Sequence, residues 1–350
     1  MARVFVAMSG GVDSSVAAAL LVREGHDVTG VTMQLWPTGD AEGGCCSVGA
    51  TRDAKRVCDS LGVPHYTLTF RAFFESAVIA PFCDAYAAGI TPNPCIVCND
   101  VVKFEELWRR AALQGADFLA TGHYARIVER DGEQWLARGL DRSKDQSYFL
   151  YRMSRDQLAH TLFPDGELAK SEVRALAREF GLPTAERAES QEICFVPGDD
   201  VGAFLRERRP DAFVAGDIVD GTGAAIGTHG GTPSFTVGQR RGLGVGGGGG
   251  RRYVTAVDAE RRTVTVGSRE DLRVSVIRAR EIVWSGGDVP READVQVRYR
   301  ARPVRGGVSV AGPTLTAELC EPVEGVAPGQ ALVAYDGDVV IGGGTIEEAR

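Results

Sequence analysis

The chain has 350 residues, of which 44% are hydrophobic and 25% charged, and its formal net charge is −8. These proportions are typical of soluble globular proteins and exclude a disordered or fibrous chain. The length favours two or three domains. No apolar run approaches the roughly 20 residues of a membrane span, and the N-terminus lacks the pattern of a signal or transit peptide, so we expect a cytoplasmic protein.

Up to about residue 195, short apolar runs alternate with helical patterns, which predicts an α/β domain with a parallel sheet. The predicted strands are Val4–Met8, Val28–Gln34, His65–Thr69 and Asp117–Ala120. The predicted helices are Ser14–Glu24, Ala50–Leu61, Phe73–Ala88, Lys103–Gln114 and Lys170–Phe180.

After Val196 the sequence becomes rich in glycine and then in alternating strands. A short helix is predicted at Asp200–Arg208, and Gly246–Gly250 is a low-complexity hinge, loop or linker. The later predicted strands are Thr263–Val266, Val274–Val283, Val295–Ala301, Val308–Val310, Leu315–Leu319, Ala331–Tyr335 and Val339–Ile341. We expect three domains: α/β over residues 1–196, a small mostly-β domain over 197–255, and a β-barrel or sandwich over 256–350.

Charge is distributed unevenly along the chain. Between Arg240 and Arg305 there are fifteen arginines, no lysine and eight acidic residues, so this stretch carries +7 and the remainder −15. Such asymmetry is either an electrostatic footprint for a polyphosphate or an arginine-decorated, solvated sheet, and charge alone does not separate the two.

The segment Ser9–Ser15, Ser-Gly-Gly-Val-Asp-Ser-Ser, lies between the first strand and the first helix. Two glycines bring backbone N–H groups close to an anion, and the helix N-terminus adds about half a positive charge. Ser14 and Ser15 can cap the helix and donate to phosphate, while Asp13 could hold Mg²⁺ or orient the loop. A strand-to-helix turn without a ligand is the alternative interpretation.

This loop is neither a Walker A loop, because no lysine follows the second glycine, nor a Gly-x-Gly-x-x-Gly motif. The full string resembles the PP-loop of enzymes that split ATP between its α and β phosphates, such as GMP synthetase and argininosuccinate synthetase. The resemblance implies that a substrate oxygen is activated as its adenylate while pyrophosphate leaves.

Cys95, Cys98 and Cys194 stand in segments that suggest chemistry. Cys95-x-x-Cys98 could be half a zinc site, although no second Cys/His pair has matching spacing. All three could hold an iron–sulfur cluster, or Cys98 and Cys194 could form a redox pair that handles sulfur. Cys98 precedes a predicted helix whose dipole would lower the pKa of its thiol. Buried, inert thiols are expected at Cys45, Cys46, Cys58, Cys83 and Cys320.

Taken together, the motifs resemble those of bacterial tRNA-specific 2-thiouridylases from end to end. The strings that carry the resemblance are Ser9–Ser15, Asn93–Asn99, Ala120–Tyr124, Lys144–Leu150, Ser190–Pro197, Thr236–Gly244 and Pro328–Gln330. The resemblance implies that the 2-oxygen of the wobble uridine is replaced by sulfur, with ATP converting that oxygen into a good leaving group.

The resemblance also implies roles for matching positions. ATP would be bound by Ala7, Met8, Ser9, Gly10, Gly11, Val12, Asp13, Ser14, Met33 and Gly122. Cys194 would carry a persulfide and Cys98 would act as a nucleophile, which leaves a Cys98–Cys194 disulfide. The implied cofactors are ATP and Mg²⁺, and an iron–sulfur cluster is not favoured. The implied partners are tRNAs for lysine, glutamate and glutamine and a cysteine desulfurase or sulfur-relay protein.

By the same resemblance, Asn93, Pro94 and Cys95 would surround the target base. The expected tRNA contacts are His123, Lys144, Asp145, Gln146, Arg298, Tyr299 and Gln330. A lone histidine would be interpreted as structural, but the motif around His123 favours tRNA contact. The glycine-rich stretch 238–250 would form a lid that excludes water from the reacting groups.

Cys95 is a departure from some family members, which carry aspartate there for acid–base work. A thiol with an ordinary pKa of about 8.5 is a poorer proton donor at neutral pH, so the general acid stays unassigned. Cys95 also keeps open an iron–sulfur-dependent thiolation of tRNA that uses no persulfide. Two functions of other classes remain open: a PP-loop ligase or amidotransferase acting on a small molecule, and a non-catalytic RNA-binding protein. Neither accounts for the phosphate loop, the two cysteines and the basic stretch together.

Overall fold

The computed structural model describes residues 1–35, 48–188, 193–245, 250–285 and 291–350. Several residues singled out above lie outside these ranges: Cys45, Cys46, Ser190, Gln191, Glu192 and Gly246–Gly249. The chain divides into two compact units. The first comprises Met1–Val78, Cys95–Asp199 and Asp338–Val340, and the second comprises Ile79–Pro94, Asp200–Gly337 and Ile341–Arg350.

The N-terminal half alternates strands and helices. Its strands are β1 (Arg3–Ala7), β2 (Asp27–Gln34), β3 (His65–Thr69), β4 (Phe118–Ala120), β5 (Ala125–Arg130), β6 (Glu133–Arg138) and β7 (Thr161–Leu162). Its helices are α1 (Val12–Arg23), α2 (Val48–Leu61), α3 (Arg71–Phe74), α4 (Ala80–Ala87), α5 (Pro94–Val97), α6 (Trp108–Leu113), α7 (Arg155–Ala159) and α8 (Lys170–Glu179). Wider π-helical turns occupy Glu75–Ile79 and Cys98–Leu107.

The C-terminal half begins with helix α9 (Val201–Arg208) and then consists mainly of strands. These are β8 (Gly216–Val219), β9 (Ala225–His229), β10 (Tyr253–Asp258), β11 (Thr263–Gly267), β12 (Arg273–Trp284), β13 (Glu292–Gln296), β14 (Val304–Ala311), β15 (Thr314–Glu324), β16 (Ala331–Asp336) and β17 (Val339–Ala349). No helix in the described ranges is both long and apolar enough to cross a bilayer.

Within its described residues, the first unit contains a parallel sheet with the strand order β3-β2-β1-β4-β7. Val4 and Val6 of the central strand β1 are fully buried. The core around them includes residues of α1, α2 and α8. Nearly continuous apolar strands are what a parallel sheet covered by helices requires, which is why the sequence pattern predicted this domain.

In the second unit, the described strands form a small sheet and a closed barrel, and most neighbouring strands are antiparallel. A small sheet has the order β10-β11-β8-β9. The remaining strands follow the order β12-β15-β14-β13-β16-β17, and β12 also pairs with β17, which closes them into a six-stranded barrel over the described residues. The predicted fold class, with an α/β domain followed by a small β domain and a barrel, is thereby confirmed.

Two local predictions were wrong, and one element was missed. The helix expected over Lys103–Gln114, after Cys98, starts at Pro94, whose ring suits the first helical position, so the helical run includes Cys98. The strand expected over 295–301 ends at Gln296, and Arg300 has a left-handed φ of 64°. The antiparallel hairpin β5–β6 was not predicted at all; Asp131 and Gly132 form its turn with φ angles of 55° and 77°.

Asp145 is a hub of buried hydrogen bonds in the first unit. Its Oδ2 accepts from Arg138 Nη1 at 2.9 Å and from Ser147 Oγ at 3.0 Å, while Oδ1 accepts from the Gly139 and Ser147 backbone N–H groups. Arg138 and Asp145 are both buried, at 9% and 8% exposed. This pairing compensates the buried charge of the guanidinium.

We expect Asp145→Asn to lower the free energy of unfolding by about 3 kcal/mol, because removing one partner leaves a buried charge uncompensated. Urea denaturation of the full chain measures the change. Asp59→Asn is the matched control: Asp59 pairs with Lys55 on an exposed helix surface, with side chains 60% and 62% exposed, and should lose less than about 1 kcal/mol. Equal losses in the two variants would contradict this assignment.

Candidate functional site

The phosphate loop is shaped by a backbone conformation that glycine supplies. Gly10 has a left-handed φ of 70°, and a Cβ at this position would lie 2.3 Å from the carbonyl oxygen of Ala50. Helix α1 begins directly after the loop at Val12, with Gly11 at its N-cap. The loop is therefore pressed against the start of α2 and leads straight into a helix N-terminus, which is the geometry of an anion-binding turn.

The serines of the loop do not cap α1, contrary to our expectation; the N-cap is Gly11, which has no side chain and makes no side-chain capping hydrogen bond. Instead, the hydroxyls of Ser14 and Ser15 donate to the Gly11 carbonyl at 3.3 and 2.7 Å. The Ser9 backbone N–H donates to Ser14 Oγ at 3.2 Å. These bonds hold the turn in shape.

Ala7, Met8, Met33 and Gly122, which were predicted to bind ATP, lie at the carboxyl ends of neighbouring strands. Ala7 pairs with Val31, and the Met8 N–H donates to the Val31 carbonyl at 2.8 Å. Met33 follows on β2 and is buried. A Cβ on Gly122 would lie 2.6 Å from Asp13 C and Ser14 N, so the end of β4 packs directly on the loop. The structure thus gathers these residues around one turn.

Asp13 is held from two sides within the first unit. Its Oδ1 accepts from the Tyr124 hydroxyl at 2.8 Å and from Lys170 Nζ at 2.6 Å. The ammonium lies 5.4 Å from the centroid of the Tyr124 ring. Of the two roles considered for Asp13, orientation of the loop is the one that these contacts support.

His123 is enclosed, with 8% of its surface exposed. Its Nδ1 lies 2.7 Å from Thr121 Oγ1, and its ring centroid lies 5.9 Å from that of Phe104 and 6.0 Å from that of Phe163. Burial, aided by the positive charge of Lys103, holds the pKa of His123 well below its ordinary value. The imidazole is therefore neutral at pH 7, and tRNA contact by His123 stays a prediction.

The predicted tRNA-contact string 144–146 lies beside the His123 motif. The Tyr124 N–H donates to Gln146 Oε1 at 3.0 Å, and the Gln146 N–H donates to the Tyr124 carbonyl at 2.8 Å. Lys144 is half-buried, and Asp145 makes the internal bonds described above. The two motifs form one substructure; tRNA contact by Lys144, Asp145 and Gln146 is untested by this geometry.

Cys98 is buried and lies inside the helical run, whereas the sequence predicted that it precedes the helix N-terminus. The next residue, Asn99, donates from Nδ2 to the Phe149 carbonyl at 3.2 Å and accepts from Lys103 Nζ at 2.9 Å. These bonds tie the cysteine-bearing helix to the 144–150 string and place an ammonium one turn from Cys98.

Cys194 is half-buried, and the residues after it are anchored in the first unit. Phe195 is 2% exposed and packs edge-on against Phe74, with ring centroids 5.7 Å apart. Seven residues before Cys194, Arg187 Nη1 donates to the Gly10 carbonyl at 2.9 Å and pairs with Asp53. Arg187 is therefore attached directly to the phosphate loop.

All six cysteines in the described ranges, including Cys98 and Cys194, are present as thiols. Burial raises the pKa of Cys58 to about 11, which agrees with its interpretation as an inert thiol. Cys83 is buried as expected, but Cys320 is exposed, so the prediction of a buried thiol there was wrong. Among the described residues, no group of three or more His, Cys, Asp and Glu side chains is arranged to hold a metal ion. Cys95, Cys98 and Cys194 consequently do not form the gathered ligand set that the zinc and iron–sulfur hypotheses require.

In the second unit, three motif strings converge. The Thr91 N–H donates to the Pro328 carbonyl at 2.9 Å, and Gln330 Nε2 donates to the Thr91 carbonyl at 2.9 Å. Thr91 Oγ1 also donates to Thr236 Oγ1 at 3.1 Å. A Cβ on Gly329, whose φ is 92°, would lie 2.8 Å from the Thr91 carbonyl. The segment leading to Asn93 and Pro94 is thus docked on Gln330 and Thr236.

The arginine-rich stretch of the second unit is partly neutralised. Arg298 is exposed and Tyr299 half-buried, as an RNA-contacting pair would be. Five of the fifteen arginines, all in the described ranges, form ion pairs with surface carboxylates: Arg261, Arg269, Arg278, Arg280 and Arg305. The unpaired charge available to a polyanion is therefore smaller than the sequence count implies.

Sequence reasoning missed three residues of this site as functional candidates. Tyr124 was only part of a motif, and neither Lys170 nor Arg187 belonged to one. Lys170 stands 157 positions beyond Asp13, and no local pattern connects them. The topology connects them, because α8 packs beside α1 in the first unit. The available signal was a lysine at the predicted start of a helix, which is too common to single out.

Models of known domains match the chain in three consecutive segments. Residues 2–198 match a tRNA methyl transferase HUP domain, residues 202–268 a tRNA methyl transferase PRC-barrel domain, and residues 274–346 an aminomethyltransferase β-barrel domain. Among solved structures, a complex of a 4-thiouridine synthetase with RNA and ATP is 15% identical, with a TM-score of 0.36, over 60% of this chain and 51% of that one.

Whole-chain relatives are much closer in sequence. The tRNA-specific 2-thiouridylase MnmA of Heliobacterium modesticaldum is 50% identical over 98% of this chain and 92% of its own length. That of Geobacter metallireducens is 49% identical over 99% of this chain and 97% of its own length. Identity at this level over nearly the full length, together with the matched domains, establishes that the chain belongs to the tRNA-specific 2-thiouridylase family.

Proposed function

We propose that the protein is an ATP-dependent tRNA-uridine 2-sulfurtransferase that converts the wobble uridine of tRNA to 2-thiouridine. One observation carries the proposal: Arg187 bonds the carbonyl of Gly10 in the phosphate loop, and Cys194 follows seven residues later. A nucleotide-activating turn and a sulfur-carrying residue are thereby joined in one unit. The names of the relatives, which specify thiolation of tRNA, support the same reaction.

The first step is adenylation of the base. A carbonyl oxygen is a poor leaving group, so the uridine 2-oxygen attacks the α-phosphate of ATP and pyrophosphate departs. The N–H groups of the Ser9–Gly11 turn and the N-terminus of α1 stabilise the phosphate charge. Mg²⁺, if bound together with the nucleotide, would supply further positive charge at the phosphates. Ala7, Met8, Val12, Ser14, Met33 and Gly122 form the walls of this ATP site.

The second step is sulfur transfer. A donor, which is a desulfurase or a relay protein, loads Cys194 as a persulfide, and its terminal sulfur attacks C2 of the adenylated uridine while AMP leaves. Cys98 then attacks the sulfur of Cys194, which releases thiolated tRNA and leaves a Cys98–Cys194 disulfide. An external thiol must supply two electrons to reduce that disulfide. The covalent route divides one difficult substitution into easier steps.

Recognition of tRNA involves residues in both units. In the second unit, Asn93 and Pro94 follow the docked Thr91 segment and would contact the target base. Gln330, Arg298 and Tyr299 would contact the RNA around it, and in the first unit His123, Lys144 and Gln146 would do so, while Asp145, whose oxygens are bonded inside the fold, would hold the 144–146 string in place. The partial neutralisation of the arginines favours recognition by shape over a large electrostatic field.

The deciding experiment measures pyrophosphate release from ATP by the full chain. We expect release to be stimulated by unmodified tRNA for lysine, glutamate or glutamine, but not by tRNA with a cytidine at the wobble position. Stimulation by a small amine would instead indicate a ligase, and absence of any release would indicate an RNA-binding protein. Mass spectrometry should find 2-thiouridine in the tRNA product only when a sulfur donor is present.

Cys194→Ser should lower thiolation at least about 1,000-fold, the scale of losing a nucleophile, while tRNA-stimulated pyrophosphate release persists. The reason is that adenylation precedes sulfur transfer and does not need the thiol. Cys320→Ser, at an exposed position in the barrel, is the control and should retain both activities. Normal thiolation by the Cys194→Ser variant would refute the persulfide step.

Gly329→Ala should reduce thiolation about tenfold or more with unchanged ATP affinity. The added Cβ would collide with the Thr91 carbonyl and the Ile90 side chain and would strain a left-handed residue, so the Thr91–Pro94 segment must move. Gly312→Ala is the matched control: it also has a positive φ, of 58°, but its Cβ would meet nothing within 4 Å. Steady-state thiolation assays and ATP titration of both variants test this, and equal activities would contradict it.

A further inference from the structure

Lys170 is a nearly buried cation placed at the phosphate loop. Its side chain is 11% exposed, and its Nζ lies 2.6 Å from Asp13 Oδ1. It is the first residue of α8, and its backbone N–H donates to Asp141 Oδ2 at 3.0 Å. Both ends of the residue are therefore fixed, and the ammonium is held at the first turn of α1.

A second carboxyl group, Asp165, lies in the same region but does not compete for Lys170. Asp165 is fully buried, and neither of its oxygens has a hydrogen-bond partner. Burial, reinforced by the negative charge of Asp13, raises the pKa of Asp165 well above its ordinary value, which favours the uncharged acid. Of these two acids, Asp13 is the one that forms the ion pair with Lys170.

This arrangement suits an incoming polyphosphate. A carboxylate in the first turn of α1 opposes the binding of an anion at the loop, and the helix dipole offers only about half a positive charge against it. The ammonium of Lys170 neutralises that carboxylate. It also has three donor protons, so it can keep one bond to Asp13 while it donates to a phosphate oxygen. At 11% exposure, such a bond is little screened by solvent.

We propose that Lys170 is a further ATP-binding residue, whose ammonium contacts the phosphates of the nucleotide while it remains paired with Asp13. The inference deepens the ATP-binding part of the proposed function and does not depend on sulfur transfer. Charge-assisted hydrogen bonds to phosphate are among the strong ones, and losing one typically costs one to two orders of magnitude in affinity.

Calorimetric titration of the full chain with ATP, and separately with adenosine, tests the proposal without tRNA. Lys170→Met should weaken ATP binding about 30-fold and leave adenosine binding within about twofold, since adenosine has no phosphate. Lys170→Arg should recover part of the loss. Lys55→Met, at an exposed lysine of α2 that pairs with Asp59, is the control and should change neither affinity. Equal weakening for ATP and adenosine would overturn the proposal.

A double-mutant cycle separates direct contact from an effect through Asp13. If Lys170 contacts phosphate, Lys170→Met should still weaken ATP binding about tenfold or more in an Asp13→Asn background. If Lys170 only neutralises Asp13, the effect disappears there, and the proposal fails. The double variant also removes the uncompensated charge that could unfold the single variant. Because no tRNA or sulfur donor is present, an enzyme inactive in thiolation leaves this outcome unchanged.

Discussion

The close approach of backbone to backbone around the phosphate loop is the constraint on which the site depends. Gly10 lies against the Ala50 carbonyl, and Gly122 lies against the Asp13–Ser14 peptide, at distances that leave no room for a Cβ. These contacts bring the end of β1, the end of β4 and the start of α2 to one point. Because each contact involves main-chain atoms, the loop cannot adjust by moving a side chain, and its N–H groups keep a fixed direction.

From this point, hydrogen bonds extend to the other motifs of the first unit. Tyr124 is bonded to Asp13 through its hydroxyl and to Gln146 through its backbone. Asn99, the residue next to Cys98, donates to the Phe149 carbonyl, and Arg187 donates to the Gly10 carbonyl. Motifs that are far apart in sequence are therefore neighbours in one network, which explains why so many separate strings accompany one reaction.

Sequence patterns predicted the parts of the fold that depend on local periodicity. The strand β1, the loop and α1 were predicted within two residues of their bounds, because buried parallel strands and glycine turns have strong local signals. The helical position of Cys98 was missed because Pro94, interpreted as stiffening a loop, serves as a helix start. The ends of β13 and the hairpin β5–β6 were missed because tertiary pairing, not propensity, decides them.

The candidate site was predictable only where a motif is contiguous. The residues of the phosphate loop were recognised as candidates, but the residues that neutralise or anchor it, Lys170 and Arg187, come from a distant helix and a turn. Asp145 shows the converse difficulty. It stands in a motif expected to contact tRNA, yet both of its oxygens are used inside the fold. Burial therefore distinguishes the charged residues of a motif that support the site from those that face a ligand.

Two buried titratable groups near the loop give opposite contributions to the pH dependence of stability. His123 has a lowered pKa in the folded state, so the unfolded chain binds the extra proton and stability is lost as the pH falls through about 6.5. Asp165 has a raised pKa, so its contribution is present below about 3.8 and is lost as the pH rises towards its folded-state value. Between about pH 3.8 and 6.5, stability rises with pH through the His123 contribution and falls with pH through the Asp165 contribution. Above about pH 6.5 the His123 contribution no longer changes, so of this pair only Asp165 can still alter stability there, until the pH passes its folded-state pKa.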